Sequence, residues 1–254
     1  MQHDPLAAGG RRRPEHFAQV RGSPGQVPRA AGLVRVIWPF FLLAAVAGYL
    51  VRAAWPWPPM GATAIGAGFL TAAGALAWSV TIGRHRLQSF LKGARGEEWV
   101  ARTLSFLPAP FRVYHGLPFQ AARLGRTSDY DHVVVGPTGV FLVETKHWAG
   151  RISVRDGRVL YNNEEPDRPP LEQVKDAATA LRRELREAVH PQLEVHPVLC
   201  FVDGHLPEGR AGTGGVMICT SHTLIDLLQE KPDQPLTKSV LDQTAYYLDR
   251  RGAR

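Results

Sequence analysis

Cysteine is scarce in this sequence, and the spacings typical of disulfide-rich or zinc-binding proteins are missing. The chain of 254 residues contains two cysteines, Cys200 and Cys219, in the apolar runs VLCFV and VMICT. Two thiols in strand-like runs exclude a disulfide framework, and nothing around them has the spacing of zinc ligands. We therefore predict that both cysteines are reduced, as expected for a domain in the cytoplasm.

The C-terminal two thirds of the chain lack a net charge, although the whole chain carries +7. Of its 30 basic and 23 acidic side chains, residues 1–86 contain nine arginines and two acids, so the remaining 168 residues carry 21 of each. The nine arginines are residues 11, 12, 13, 21, 29, 35, 52, 84 and 86. The excess positive charge therefore belongs to the N-terminal part and does not indicate a nucleic-acid-binding surface on the rest of the chain.

Uncharged runs long enough to cross a bilayer are confined to the first third of the chain. Met60–Ile82 has 23 residues without a charge, more than the roughly 20 that a transmembrane helix needs. Val36–Val51 is shorter but can be extended into its flanks. The connector between them contains Trp55 and Trp57, which are typical of a turn at the membrane interface. We predict a two-helix transmembrane hairpin, and the alternative is a buried helical hairpin of a soluble protein.

These observations predict three regions along the chain. Residues 1–32 form a disordered basic tail, residues 33–83 contain transmembrane helices at about 36–55 and 60–82, and residues 87–254 form one domain. Six arginines precede the first apolar segment and two follow the second, whereas the connector has one. Because basic residues stay on the cytoplasmic side, we predict a multi-pass protein of the cell membrane whose N-terminus and C-terminal domain are cytoplasmic.

The pattern of the C-terminal domain predicts an α/β fold with a mixed sheet. The expected strands cover residues 111–117, 132–135, 140–143, 151–154, 158–161, 195–202 and 216–219. The expected helices cover residues 93–107, 171–189 and 237–250, with a short helix from about residue 221 or 222. The turns at Gly136–Gly139 and Asp156–Gly157 give the strongest hairpin signals.

One predicted hairpin contains charged residues where apolar ones are expected. In DYDHVVVGPTGVFLVETKHWAG, residues 129–150, two apolar strands include Asp131, Glu144 and Lys146. Buried charges are rare unless they are paired or bound to a metal ion. Glu144 and Lys146 are two positions apart on a strand, so both point to one face. For the tripeptide E-x-K alone, an ion-pair ladder on a solvated sheet is the ordinary explanation.

The position of Asp131 relative to Glu144 depends on the register of this hairpin. With a two-residue loop, Pro137–Thr138, paired residue numbers add up to 275 and Asp131 lies opposite Glu144, where two carboxylates can share a divalent cation. Because Pro137 cannot adopt a positive φ, the alternative is a type I turn with Gly139 in the left-handed region. That turn shifts the pairing by one residue and requires a compensating bulge. The sequence leaves both registers open.

Two segments of the domain resemble a known family. GARGEEWVARTL at 93–104 and DYDHVVVGPTGVFLVETKHWAGRISV at 129–154 resemble the nuclease-related domain (NERD) family of the PD-(D/E)xK restriction-endonuclease-like superfamily. The resemblance covers residues 93–185 and implies a restriction-endonuclease-like mixed sheet flanked by helices. Tyr130 stands where the superfamily has a proline, and Asp129 is an extra acid expected on the same face as the family's aspartate.

The resemblance also implies the residues of an active site. It assigns catalytic roles to Asp131, Glu144 and Lys146, and a supporting role to Gln173 on the following helix. Glu97 is implied as the helix-borne acid that completes a site for Mg²⁺ or Mn²⁺ with the two other carboxylates. In such a site the cation polarises a phosphoryl oxygen and activates a water molecule, and the lysine orients that water or stabilises developing charge.

The prediction from sequence is therefore a membrane-anchored, metal-dependent nuclease that hydrolyses phosphodiester bonds, in DNA rather than in RNA. Its expected partners are nucleic acid and, through the N-terminal helices, the lipid bilayer. The alternative is a catalytically inactive nucleic-acid-binding or signalling module that retains the nuclease fold. The complete acid–acid–lysine set favours the enzyme, whereas the neutral charge of the domain argues against tight binding without assistance.

Overall fold

The computed structural model describes residues 17–22, 45, 46, 48, 49, 74, 88, 91–121, 126–232 and 234–252. The chain divides into two units, Met1–Pro24 with Glu98–Arg254, and Gly25–Glu97. Every described residue of the second unit is helical. The predicted transmembrane segments 36–55 and 60–82 lie almost entirely outside the described residues. Within the described part of the chain, no helix is both long and apolar enough to span a bilayer.

The first unit is built on a mixed β-sheet. The strands are β1 (Gln19–Arg21), β2 (Arg112–Ala121), β3 (Arg126–Gly136), β4 (Gly139–His147), β5 (Ile152–Arg155), β6 (Arg158–Tyr161), β7 (Val195–Val202), β8 (Arg210–Thr213) and β9 (Val216–Thr220). Seven of them form one sheet in the order β1-β2-β3-β4-β7-β9-β8, and β5 and β6 form a separate hairpin. The pairs β1–β2, β4–β7 and β7–β9 are parallel, and the other neighbours are antiparallel.

Helices cover both faces of this sheet. They are α1 over residues 91–104, α2 (Pro170–Ala188), α3 (Leu224–Gln229) and α4 (Lys238–Gly252). Apolar residues of α2 and α4 form one core with the sheet, and α3 and the part of α1 that follows Glu97 form a second core. The predicted α/β class, a large mixed sheet flanked by helices, is confirmed.

Alternation along the strands assigns residues to these two cores. Val133 and Leu142 belong to the core beneath α2, whereas Val134 and Phe141 belong to the core beneath α3. The same alternation runs along β7, in which neighbouring residues from Val198 to Val202 enter opposite cores. Successive side chains of a strand point to opposite faces, and these runs are continuously apolar because both faces of the sheet are covered.

Two short strands at the sheet edges were not predicted. β8 lies in a segment predicted as a glycine-rich loop, and β1 lies within the predicted disordered tail of residues 1–32, of which only residues 17–22 are described. β1 pairs with β2, and the N–H of Ala18 donates to the carbonyl of Leu107 at 2.8 Å. Both strands are too short to show a period of two.

The turn between β3 and β4 has the first of the two predicted registers. Gly136 pairs with Gly139, and the ladder keeps this register as far as His132. The loop Pro137–Thr138 is held by tertiary hydrogen bonds: the Thr138 hydroxyl donates to a carbonyl in the last turn of α3 at 2.6 Å, and the Pro137 carbonyl accepts an N–H just before α4 at 3.0 Å. Contacts distant in sequence therefore stabilise a turn that local geometry disfavours.

Candidate active site

The predicted acids lie where β3 and β4 separate. The β3–β4 ladder ends with the pair His132 and Val143, and beyond it β3 continues beside β2 while β4 continues beside β7. Extended by one step, the register would place Asp131 opposite Glu144. Backbone groups that lose their ladder partner in a protein interior need another partner. A side chain can provide this partner at the junction.

Asp131 provides such a partner. One oxygen of its carboxylate accepts the backbone N–H of Thr145 at 2.8 Å. Thr145 directly follows Glu144, so the Asp131 carboxylate is held against the backbone that carries the second predicted acid. A charged acceptor makes this a strong hydrogen bond. The structure therefore holds the Asp131 carboxylate against the backbone of β4 beside Glu144, although the ladder itself ends one pair before these two residues.

Glu144, Lys146 and Gln173 form a closed set of hydrogen bonds. The ammonium of Lys146 donates to Oε1 of Glu144 at 2.6 Å and to Oε1 of Gln173 at 2.9 Å. The amide nitrogen of Gln173 donates to the same Glu144 oxygen at 2.5 Å. Glu144 is 6% exposed, so its charge is buried but paired. Three of the predicted site residues therefore contact one another directly.

This set lies on the sheet face that α2 covers. Leu142 belongs to the core beneath α2, and Glu144 and Lys146 continue its side of the strand. Gln173 lies in the first turns of α2, where the buried positions Leu171 and Val174 flank it and fix the helix against the sheet. The apolar spacing of α2 thus determines where the Gln173 amide meets β4.

Strand alternation is broken beside Asp131. Tyr130 and Val133 enter the same core, although strict alternation places residues three apart on opposite faces. β2 and β3 are paired at His115–His132 and at Leu117–Tyr130, but Gly116 and Asp131, which face each other between these two pairs, are not paired. Gly116 has a φ of +60°, which glycine adopts readily. Asp129 lies beyond this break, so alternation no longer assigns it to the face of Asp131. Burial raises the pKa of Asp129.

Two buried histidines join β2 to β3 next to this break. Nδ1 of His115 lies 2.7 Å from Nδ1 of His132, and the rings meet edge to face. One ring must donate and the other accept, so at least the accepting ring is neutral. Burial lowers the pKa of His115 to about 4 and the pKa of His132 well below its usual value, with further lowering by His115.

We expect the folded state to lose stability as the pH falls from about 6.5 to about 4. The unfolded histidines titrate near 6.5 and the folded pair titrates lower, so below 6.5 the unfolded state binds more protons. For His115 alone the loss reaches roughly 3 kcal/mol near pH 4. Thermal unfolding across this range measures it. The double variant His115→Gln/His132→Gln should show a shallower loss, and an equal loss would contradict the assignment.

The sequence carried a signal for the break but not for the histidine pair. Gly116 stands inside the predicted strand FRVYHGL, and an isolated glycine in a strand indicates a bulge or a close backbone approach. His115 and His132 are 17 positions apart, and only the β2–β3 register shows that they face each other. Sequence reasoning therefore missed His115.

The predicted third carboxylate, Glu97, is a half-buried residue of α1 and the last residue of the second unit. Its role as a metal ligand stays a prediction. Across the described residues, no group of three or more His, Cys, Asp and Glu side chains is arranged to hold a metal ion. Asp131 and Glu144 supply carboxylate oxygens, the donors that Mg²⁺ and Mn²⁺ prefer, so the two acids at the junction fit such a cation chemically.

Comparison with known proteins supports the resemblance to nuclease-related domains. Residues 92–202 match the family model of the nuclease-related domain, and this range contains all five predicted site residues. A stretch of 62 residues, 24% of the chain, is 44% identical to an uncharacterized protein of Bacillus anthracis. The match covers 29% of that relative, so the chain corresponds to less than a third of its length. No solved structure matches the chain.

Proposed function

We propose that the nuclease-related domain of this chain is a metal-dependent nuclease that hydrolyses phosphodiester bonds in DNA. The observation that carries the proposal is the junction of β3 and β4, where the Asp131 carboxylate bonds to the backbone directly after Glu144 and Lys146 bonds to the Glu144 carboxylate. Two acids and one ammonium group at one place match the chemistry of metal-assisted phosphodiester hydrolysis. The match to the nuclease-related domain supports the same function.

Each residue then has a separate role. Asp131 and Glu144, with Glu97 as a third ligand, would hold Mg²⁺ or Mn²⁺, which polarises a phosphoryl oxygen and lowers the pKa of a bound water molecule. Lys146 supplies a positive charge beside the scissile phosphate and orients the attacking water. Gln173 bonds to both Glu144 and Lys146 and thereby fixes the orientation of the two side chains.

The membrane forms the second part of this proposal. We propose that the segments 36–55 and 60–82 anchor the protein in the cell membrane, with the N-terminus and the nuclease-related domain in the cytoplasm. The length of the uncharged run and the position of the arginines on either side of the two segments support this arrangement. Nucleic acid near the membrane would then be the substrate.

The second candidate function is a catalytically inactive nucleic-acid-binding or signalling module, here called the silent module, and one observation favours it. The Glu144 carboxylate accepts two hydrogen bonds on one oxygen, from Lys146 and from Gln173. An ion pair that is satisfied in this way is also what a purely structural site would contain. In that case the domain would bind nucleic acid or transmit a signal without cleaving.

A cleavage assay on the full chain tests the proposal. The detergent-solubilised protein is incubated with supercoiled, linear and single-stranded DNA and with RNA, in Mg²⁺, Mn²⁺ or a chelator. We expect metal-dependent cleavage that Asp131→Asn abolishes and Asp129→Asn leaves intact. Asparagine keeps an acceptor for the Thr145 N–H, so this pair of variants isolates the charge of Asp131. An unmutated protein that cuts none of these substrates would decide for the silent module.

A further inference from the structure

The segment Phe17–Gly22, here called the N-terminal strap, ends against β2, in which Gly116 lies opposite Asp131. Its strand β1 runs parallel to β2, and its last pair is Arg21 with Tyr114. The next residue, Gly22, therefore reaches His115. A Cβ atom on Gly22 would lie 2.1 Å from the carbonyl oxygen of His115. Only glycine fits this position, because a real Cβ atom cannot approach backbone so closely.

The strap is docked by more than its strand pairing. Ala18 is 1% exposed and belongs to the core beneath α3. The N–H of Gln19 donates to the carbonyl of Phe111 at 3.2 Å, in addition to the Ala18 bond described above. Arg21 lies 3.7 Å from the carboxylate of Asp249 on α4. The strap thus forms the edge of the sheet and is also bonded to the segment before β2 and to α4.

A continuous series of contacts leads from the strap to the predicted acids. Gly22 packs on the backbone of His115, and the His115 ring bonds to His132. His132 adjoins the break at Asp131 along β3, and the Asp131 carboxylate bonds to Thr145. Every step in this series is a direct contact or a peptide bond. A displacement of β2 at His115 would therefore act on the geometry of Asp131 through two residues.

We propose that the N-terminal strap positions Asp131: by docking on β2 it holds the His115–His132 pair and the break at Gly116 in the geometry in which Asp131 bonds to Thr145. The catalytic consequence rests on the proposed nuclease function. The geometric part concerns the bond between Asp131 and Thr145 and can be measured without any activity. The strap precedes the predicted transmembrane segments and the domain follows them, so residues from both sides of these segments form one sheet.

Two glycine substitutions in the full chain test this proposal. Gly22 and Gly215 have similar positive φ angles, +82° and +78°, so alanine strains the backbone similarly at both. A Cβ atom on Gly215 would have no neighbouring atom within 4 Å, whereas one on Gly22 would meet the His115 carbonyl. We expect Gly22→Ala to increase hydrogen exchange of the Thr145 amide and to lower kcat roughly 10- to 100-fold with little change in KM. Gly215→Ala should leave both unchanged.

The outcomes distinguish a failure of the strap proposal from a failure of the proposed nuclease function. If Gly22→Ala leaves exchange at Thr145 equal to that of Gly215→Ala, the proposal is wrong. If the unmutated chain cleaves nothing, the proposed function fails, but exchange at Thr145 still decides the role of the strap. If Gly22→Ala does not fold, a chain lacking residues 1–24 is mixed with a synthetic peptide of residues 12–24. We expect the peptide to restore the protection of the Thr145 amide from hydrogen exchange. If the peptide does not restore this protection, the proposal is wrong.

Discussion

Glu144→Gln is expected to lower metal-dependent cleavage by about a thousandfold or more, because it removes a ligand charge from a site for a hard cation. Glutamine keeps the size of the side chain and one acceptor oxygen. Stability should fall by about 1 to 3 kcal/mol in the absence of metal, because the Lys146 ammonium loses its carboxylate partner in a largely buried place. Nicking of supercoiled DNA and thermal unfolding of the same samples measure the two effects.

The matched control for this substitution is Glu172→Gln. Glu172 is an exposed acid on α2, next to Gln173 in sequence, and its substitution changes the net charge by the same amount. It should leave cleavage and stability nearly unchanged. Full activity of Glu144→Gln would remove Glu144 from the catalytic set. A loss of stability without any activity to lose would identify the bonded set around Glu144 as structural.

Lys146→Met is expected to lower cleavage by about a hundredfold or more while it raises the affinity of the site for a divalent cation by about threefold to tenfold. The ammonium lies 2.6 Å from the Glu144 oxygen, so it competes with a cation for that oxygen and repels its charge. Methionine fills a similar volume without the charge. The cleavage rate and the Mn²⁺-dependent shift in Tm should therefore change in opposite directions.

Lys238→Met is the control for this second variant. Lys238 is an exposed lysine on α4 that pairs with Asp242 one turn away, and such surface pairs contribute little to stability. It should change neither cleavage nor Mn²⁺ binding. If Lys146→Met instead weakens Mn²⁺ binding, the lysine does not compete with the cation, and its bonds to Glu144 and Gln173 would be needed to shape the site.

The sequence was sufficient for elements whose signal is local. The apolar run Val140–Val143 after a turn predicted the strand, and a separation of two residues along a strand predicted the common face of Glu144 and Lys146. The apolar spacing between Leu171 and Leu185 predicted α2 to within one residue at each end. In both cases the residues that carry the signal are the residues that are buried.

Features that depend on distant partners could not be predicted in this way. The hairpin register rests on hydrogen bonds from α3 and from the segment before α4 to the Pro137–Thr138 loop. The bond between Lys146 and Gln173 joins residues 27 positions apart, and resemblance alone pointed to that glutamine. For β1, the three residues Gln19–Arg21 are too few to show a pattern, and the strand forms where they pair with β2, which lies about 90 positions further along the chain.

The pairing of β1 with β2 also constrains how the chain can be threaded through a membrane. The backbone hydrogen bonds of one sheet cannot form across a bilayer, so Gly22 and Glu98 must be in the same compartment. Between these two residues the number of crossings is therefore even. Two spans satisfy this parity, and so does none, but a single span does not. A topology with a single transmembrane span between β1 and α1 is therefore incompatible with the pairing of β1 and β2.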